Sequence, residues 1–223
     1  MLKEIPGKLN NSTIVGFMER LRKVERKIGR GFPANDRSNM KAYEERVSAD
    51  PGFDCALIEK QSEFDDIRLG KSTLDYSGCE VIACYNLLQR YDGGRLRMKL
   101  PEIIEMFERD GIIHAGRFGV SPKAIYDHLI KLGTEPDFTM DEGDFDLLGE
   151  YCDHFILTVM NDEKDIMKQV HTFYISREGR RLISHNAGLR MRYFSIDEII
   201  KALPGGRARG ISLTAVREKG IDG

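Results

Sequence analysis

Apolar residues recur at helical spacing through the first two-thirds of the chain and gather into short strand-like runs in the last third. Ile14, Phe17, Leu21, Val24 and Ile28 fall three or four apart, which predicts a helix with one apolar stripe. Asn11-Ser12 would cap it, and Gly29 and Gly31 would stop it before Pro33. A second helix is expected around Ser38–Val47, ended by Asp50-Pro51-Gly52, and a third around Cys55–Phe64. CEVIACYNLLQRY then reads as a helix stopped at Asp92-Gly93-Gly94. Leu100-Pro101-Glu102 opens EIIEMFERDG, and Ser121-Pro122 opens KAIYDHLIKLG with Ser121 as N-cap. Gly111 and Gly133 are placed as left-handed caps of these two helices.

After about residue 152 the period changes. HFILTVMN, MKQVHTFYIS, RRLISHN, LRMRYFS and GISLTAVRE read as strands separated by turn signals. One short helix, SIDEIIKAL, interrupts them, with Ser195 as cap and Glu198 three residues on. The acidic stretch DFTMDEGDFD, at 137–146, reads as a connection. Helices first and antiparallel strands afterwards predict an α+β fold, with a helical N-terminal half packed on a C-terminal sheet. Residues 1–70 are expected to form a helical extension and 71–223 the α+β domain proper.

Composition narrows the function classes. The 223 residues suffice for one large domain or a domain with an appendage. Lys+Arg is 34 against Asp+Glu 36, a net charge of −2, which gives no global attraction to nucleic acid or an anionic membrane. Arg20, Arg22, Lys23, Arg26, Lys27 and Arg30 form a basic face on the first helix, read as solvated, with a nucleic-acid or partner contact as the alternative. No apolar run reaches the length of a membrane span. MLKEIPGKLNN has no apolar signal core, and the four cysteines show no C-x-x-C spacing. They are expected to be reduced thiols in a cytoplasm.

The chemistry concentrates at Ser77-Gly78-Cys79-Glu80. Ser77 and Glu80 have capping-box spacing, which puts Cys79 in the first turn of a helix, where the positive dipole end favours a thiolate. Cys84, further along the same helix, reads as a core thiol. A nucleophilic cysteine needs a base. Of the five histidines, His114 and His128 read as surface or packing residues, and Cys152-x-His154 is a weak metal signal without a second pair. His171 lies in QVHTFYI, which turns at REGR and returns as RLISHN. A turn centred on Glu178-Gly179 would set His171 directly across from Asn186, whose amide could fix the imidazole tautomer. His185 would then point to the other face.

Cys79 at a helix start, His171 on a later strand and Asn186 on the next resemble the papain-like cysteine peptidase superfamily in order. SGCEVIACYNLL and HTFYISREGRRLISHN look closest to the GCE/GCG peptidases that process bacteriocin leaders in bacteria, over roughly residues 70–217. The resemblance implies a papain-like fold, Cys79 as nucleophile, His171 as general base and acid, Asn186 as orienter, and a peptide or protein substrate, with no cofactor and no metal. It departs from the family at one place. The family carries a Gln several residues before its Cys to help bind the oxyanion, whereas GKSTLDYS stands here and the nearest Gln, Gln61, lies well upstream. The backbone N–H of Cys79, or Ser72, Thr73 or Tyr76, would have to serve instead. The functional readings are a hydrolase (peptidase or amidase) working through a thioester, an acyltransferase using the same triad, and an inactive papain-like scaffold that binds a peptide or protein.

Overall fold

The structure, a computed structural model, describes residues 10–28, 32–161, 170–189 and 192–218. The expected stop of the first helix at Gly29 and Gly31, the position of Arg30, and the beginnings of MKQVHTFYIS and LRMRYFS lie partly or wholly outside these residues.

Helices fill the N-terminal half: α1 (Asn11–Ile28), α2 (Pro33–Ala49), the single-turn α3 (Leu74–Ser77), α4 (Cys79–Arg90), α5 (Leu100–Asp110) and α6 (Pro122–Lys131). A two-residue hairpin of β1 (Arg68–Leu69) and β2 (Ser72–Thr73) precedes α3. The C-terminal half holds β3 (Asp137–Thr139), α7 (Phe145–Tyr151), β4 (His154–Met160), β5 (Val170–Glu178), β6 (Arg181–His185), β7 (Arg192–Tyr193), α8 (Ile196–Ala202) and β8 (Arg209–Val216). Six of these strands form one antiparallel sheet in the order β3-β8-β4-β5-β6-β7. The fold is α+β, a helical half followed by an antiparallel sheet.

Two apolar layers sandwich the sheet. Ile156, Tyr174 and Val216 face α4, α5 and α6 in one cluster, which also takes Tyr43, Ile58 and Phe64 from the N-terminal segment. Phe155, Leu157, Val159, Phe173, Ile175, Leu182, Leu213 and Ala215 face α7 and α8 on the other side, as the two-residue period of a strand requires. Helix α4 lies inside the molecule, with every residue from Cys79 to Gln89 buried. Apolar residues on most sides of it, rather than in one stripe, suit it to this central place.

Several local expectations change. The cap of α1 is Asn10, whose Oδ1 accepts from the N–H of Thr13 at 2.8 Å; Asn11 instead donates to the carbonyls of Met140 and Gly210 at 2.9 and 3.0 Å. Phe17 and Val24 of the expected apolar stripe are 61% and 55% exposed, while Arg22, expected in a solvated face, is buried. The helix is turned so that Arg22 meets Asp127 at 2.8 Å, Asp110 at 3.1 Å and Glu19 at 3.3 Å. The third helix over Cys55–Phe64 gives way to two 3-10 turns, Pro51–Cys55 and Gln61–Glu63, around an extended strap. Buried Asn86 holds that strap, accepting from the N–H of Ile58 at 2.8 Å and donating to its carbonyl at 2.9 Å. The acidic 137–146 stretch contributes β3 and the start of α7. Gly133 is left-handed at φ +85°, but Gly111, at φ −158° and ψ −37°, is not, and is required because a Cβ would stand 2.6 Å from the Phe107 ring. Ser195 caps α8 as expected, accepting from Glu198 N–H at 3.1 Å.

Candidate active site

Cys79 is the first residue of α4, and Gly78 is its N-cap. No capping box forms: Ser77 Oγ donates back to the Thr73 carbonyl at 3.4 Å, and no side chain caps the helix. Gly78 is needed here because a Cβ would lie 2.6 Å from the Leu74 carbonyl oxygen, so α3 runs into α4 with no room between them. The helix start therefore keeps its outward N–H groups and positive dipole end beside the thiol. Two neighbours decide the protonation of that thiol. Burial first, then the Glu80 carboxyl, push Cys79 well above the ordinary thiol range, and the N–H of Thr172 pulls the other way. Burial raises Glu80 itself to about 7, against hydrogen bonds from its own N–H, the Cys79 side chain and the Val120 N–H. One Glu80 oxygen, Oε2, has no hydrogen-bond partner, and its carboxyl fills the space left by Gly119, whose Cβ would fall 2.6 Å from it. At neutral pH the resting state is a thiol, not the thiolate that a first-turn cysteine suggests.

His171 lies near the start of β5, with its ring 5.7 Å from that of Phe173 on the face away from α4. Its Nε2 stands 3.0 Å from the backbone carbonyl oxygen of Asn186. A carbonyl only accepts, so Nε2 carries the proton and Nδ1 keeps its lone pair. Burial lowers the His171 pKa, while the bond to Asn186 opposes that shift. The imidazole is therefore neutral and basic at Nδ1.

The hairpin register differs from the expected one. Glu178 pairs with Arg181 and Tyr174 with His185, so the turn is Gly179-Arg180 and His171 does not lie opposite Asn186. Gly179 takes φ +60° as the first turn residue, a conformation costly for Glu178, and every partner moves by two. Asn186 follows the last residue of β6 and is itself left-handed at φ +60°. That conformation, tolerated by Asn, turns its carbonyl toward His171. The orienting group is thus main chain, and the Asn186 amide is occupied elsewhere: Oδ1 accepts from Gln61 N–H at 3.0 Å and Nδ2 lies 3.5 Å from Gln61 Oε1.

The structure brings His171 and Asn186 together and sets Cys79 against the amide that joins His171 to Thr172. It does not pair the thiol with the imidazole through a hydrogen bond. Glu59, Gln61 and Glu80 are the site residues that sequence reasoning missed. Glu59 Oε2 accepts from Asn186 N–H at 3.1 Å, and its Oε1 meets His185 Nδ1 at 2.6 Å. His185 Nε2 lies 2.9 Å from Ser176 Oγ. Gln61 was conspicuous as the nearest Gln before Cys79; its distance along the chain hid its closeness in space.

His154, by contrast, is built into the sheet, with Nδ1 2.7 Å from the Tyr174 hydroxyl. His128 packs edge-on against Phe107 with ring centroids 5.1 Å apart, and Nε2 lies 3.2 Å from the Asp110 carbonyl. Cys84 is buried and pushed up to about 12, the core thiol expected of it. Among the described residues, no group of three or more His, Cys, Asp or Glu is arranged to hold a metal ion, and no helix is long and apolar enough to cross a membrane. No family model matches the chain, and no curated protein matches it significantly.

Proposed function

We propose that the protein is a cysteine-nucleophile hydrolase, a peptidase or amidase of papain-like type. Cys79 attacks a carbonyl carbon, its thiol proton passes to His171 Nδ1, and the imidazolium returns that proton to the leaving amine as the C–N bond breaks. His171 then takes a proton from water, the hydroxide adds to the thioester, and Cys79 leaves as the thiol. An amine entering in place of water makes the same site an acyltransferase. The observation that carries this reading is the placement of Cys79 at a helix start, against the amide following His171, while the Asn186 carbonyl fixes the imidazole with Nδ1 unprotonated. The chain order Cys, His, Asn and the α+β architecture agree with the papain-like resemblance. The thiol lies on the α4 side of β5 and the imidazole on the other, so the transfer requires the His171 side chain to rearrange when substrate binds.

A second reading, an inactive scaffold that binds a peptide or protein, is favoured by one specific observation: burial and Glu80 hold the Cys79 thiol protonated. Alkylation by iodoacetamide from pH 5 to 9, read at each cysteine by peptide mass mapping, decides between them. Exposed Cys55 serves as the internal reference. The hydrolase reading expects Cys79, slow at neutral pH because its thiol rests protonated, to react more slowly still in His171→Ala. A Cys79 rate unchanged by His171→Ala overturns it. Cys79→Ala should abolish turnover in an enzyme and leave partner binding intact in a scaffold.

A further inference from the structure

Every polar group of Asn186 has a partner, and all but one come from the strap at 59–61. The N–H of Asn186 donates to Glu59 Oε2 at 3.1 Å, its Oδ1 accepts from Gln61 N–H at 3.0 Å, and its Nδ2 approaches Gln61 Oε1 at 3.5 Å. Only the carbonyl remains, and it takes the His171 Nε2–H. The other end of Gln61 reaches the opposite half of the site. Its Nε2 donates to the carbonyls of Leu74 and Asp75 at 3.0 and 2.9 Å. The Leu74 carbonyl also accepts from Gly78 N–H at 2.9 Å, directly before Cys79. One side chain thus joins the turn that delivers Cys79 to the residue that orients His171.

We infer that Gln61 is the positioning residue of this site, with Glu59 as its support: it sets the spacing between the Cys79 helix start and the His171–Asn186 pair. Both amide hydrogens of Gln61 are taken by carbonyls, so it has none to offer an oxyanion. Its role is therefore to fasten, not to stabilise a tetrahedral intermediate. The inference rests on the cysteine-hydrolase reading for its consequence, but not for its geometry.

Gln61→Met keeps the length of the side chain and the backbone N–H while removing the bonds to Leu74, Asp75 and Asn186 Nδ2. Two readouts in the full-length protein test it. Iodoacetamide displacement at sulfur forms no oxyanion, so a lost oxyanion donor would leave the alkylation profile unmoved. Loss of a fastener worth one ordinary hydrogen bond should slow Cys79 alkylation at pH 7 about fivefold. The nitrogen-15 shifts of His171, which report the tautomer directly, should move from protonated Nε2 toward a mixture. A folded Gln61→Met protein with wild-type alkylation profile and wild-type His171 shifts overturns the inference. If Gln61→Met does not fold, Glu59→Gln decides by the same two readouts, since it preserves shape and weakens the hold on Asn186 N–H, along with the contact to His185, without touching Gln61. A wild-type Cys79 rate that His171→Ala leaves unchanged would sink the hydrolase reading alone; a changed His171 tautomer in the variant would still uphold the positioning role, and an unchanged one would end it.

Discussion

His171 Nε2 lies 3.0 Å from the carbonyl oxygen of Asn186, a contact made by the main chain of a left-handed residue, not by its side-chain amide. The identity of residue 186 therefore acts through its backbone conformation. Asn186→Gly, which enters that region freely, should be tolerated better than Asn186→Val, which does not. The difference expected is about 1–2 kcal/mol in denaturant unfolding. Equal losses for the two variants would show that the amide contacts to Gln61, and not the conformation, dominate.

Acid should weaken the fold through its buried histidines. Burial holds His171 and His128 below the ordinary histidine range, and His154 as well. The unfolded chain then binds protons that the folded one resists, so stability is full above about pH 6.5 and falls as pH drops below it. His171→Gln should flatten the fall measured between pH 7.5 and 5. An unchanged slope assigns it to His128 and His154.

Glu80 acts with the opposite sign. A carboxyl raised to about 7 stays protonated in the fold while the unfolded chain releases its proton near 4.5, so its contribution declines as pH rises between those values. Above pH 7 the penalty is on the order of 3 kcal/mol. Glu80→Gln should gain stability at pH 7.5 and gain little at pH 4.5. It should also speed Cys79 alkylation at fixed pH, because the carboxyl that raises the thiol is gone. Slower alkylation would show that Glu80 assists the thiol instead.

Arg22 should be the most costly single loss on α1. Its guanidinium joins Glu19, Asp110 and Asp127, and its removal leaves partly buried carboxylates without their cation. Arg22→Met is expected to destabilise by about 3 kcal/mol and to expose α1 to limited proteolysis. Arg20→Met, on the exposed side of the same helix, is the control and should be near neutral.

Asn86 supports the strap that carries Glu59 and Gln61. Asn86→Ala would leave the N–H and carbonyl of Ile58 buried without partners, a loss of about 2–3 kcal/mol. Hydrogen exchange should rise along residues 56–62 before it rises in α4. Uniform loss of protection would mean that the strap and α4 open together.

The sequence by itself determined the change from helices to antiparallel strands, the strand that carries His171, and the start of a buried helix at Cys79. These follow from periodicity and from Gly and Pro punctuation, which act over a few residues. Only the tertiary structure decided which atoms meet. The hairpin register turned on which of two adjacent residues takes a positive φ, and Gly179 takes it rather than Glu178. The inward face of α1 followed a charge cluster drawn from three helices, which no stripe within one helix records. Gln61 reaches the site because an extended strap, held by Asn86, folds back against residues 125 positions away. The protonation of Cys79 likewise depends on how deeply α4 is buried and on where Glu80 points, since charge is disfavoured wherever water is excluded.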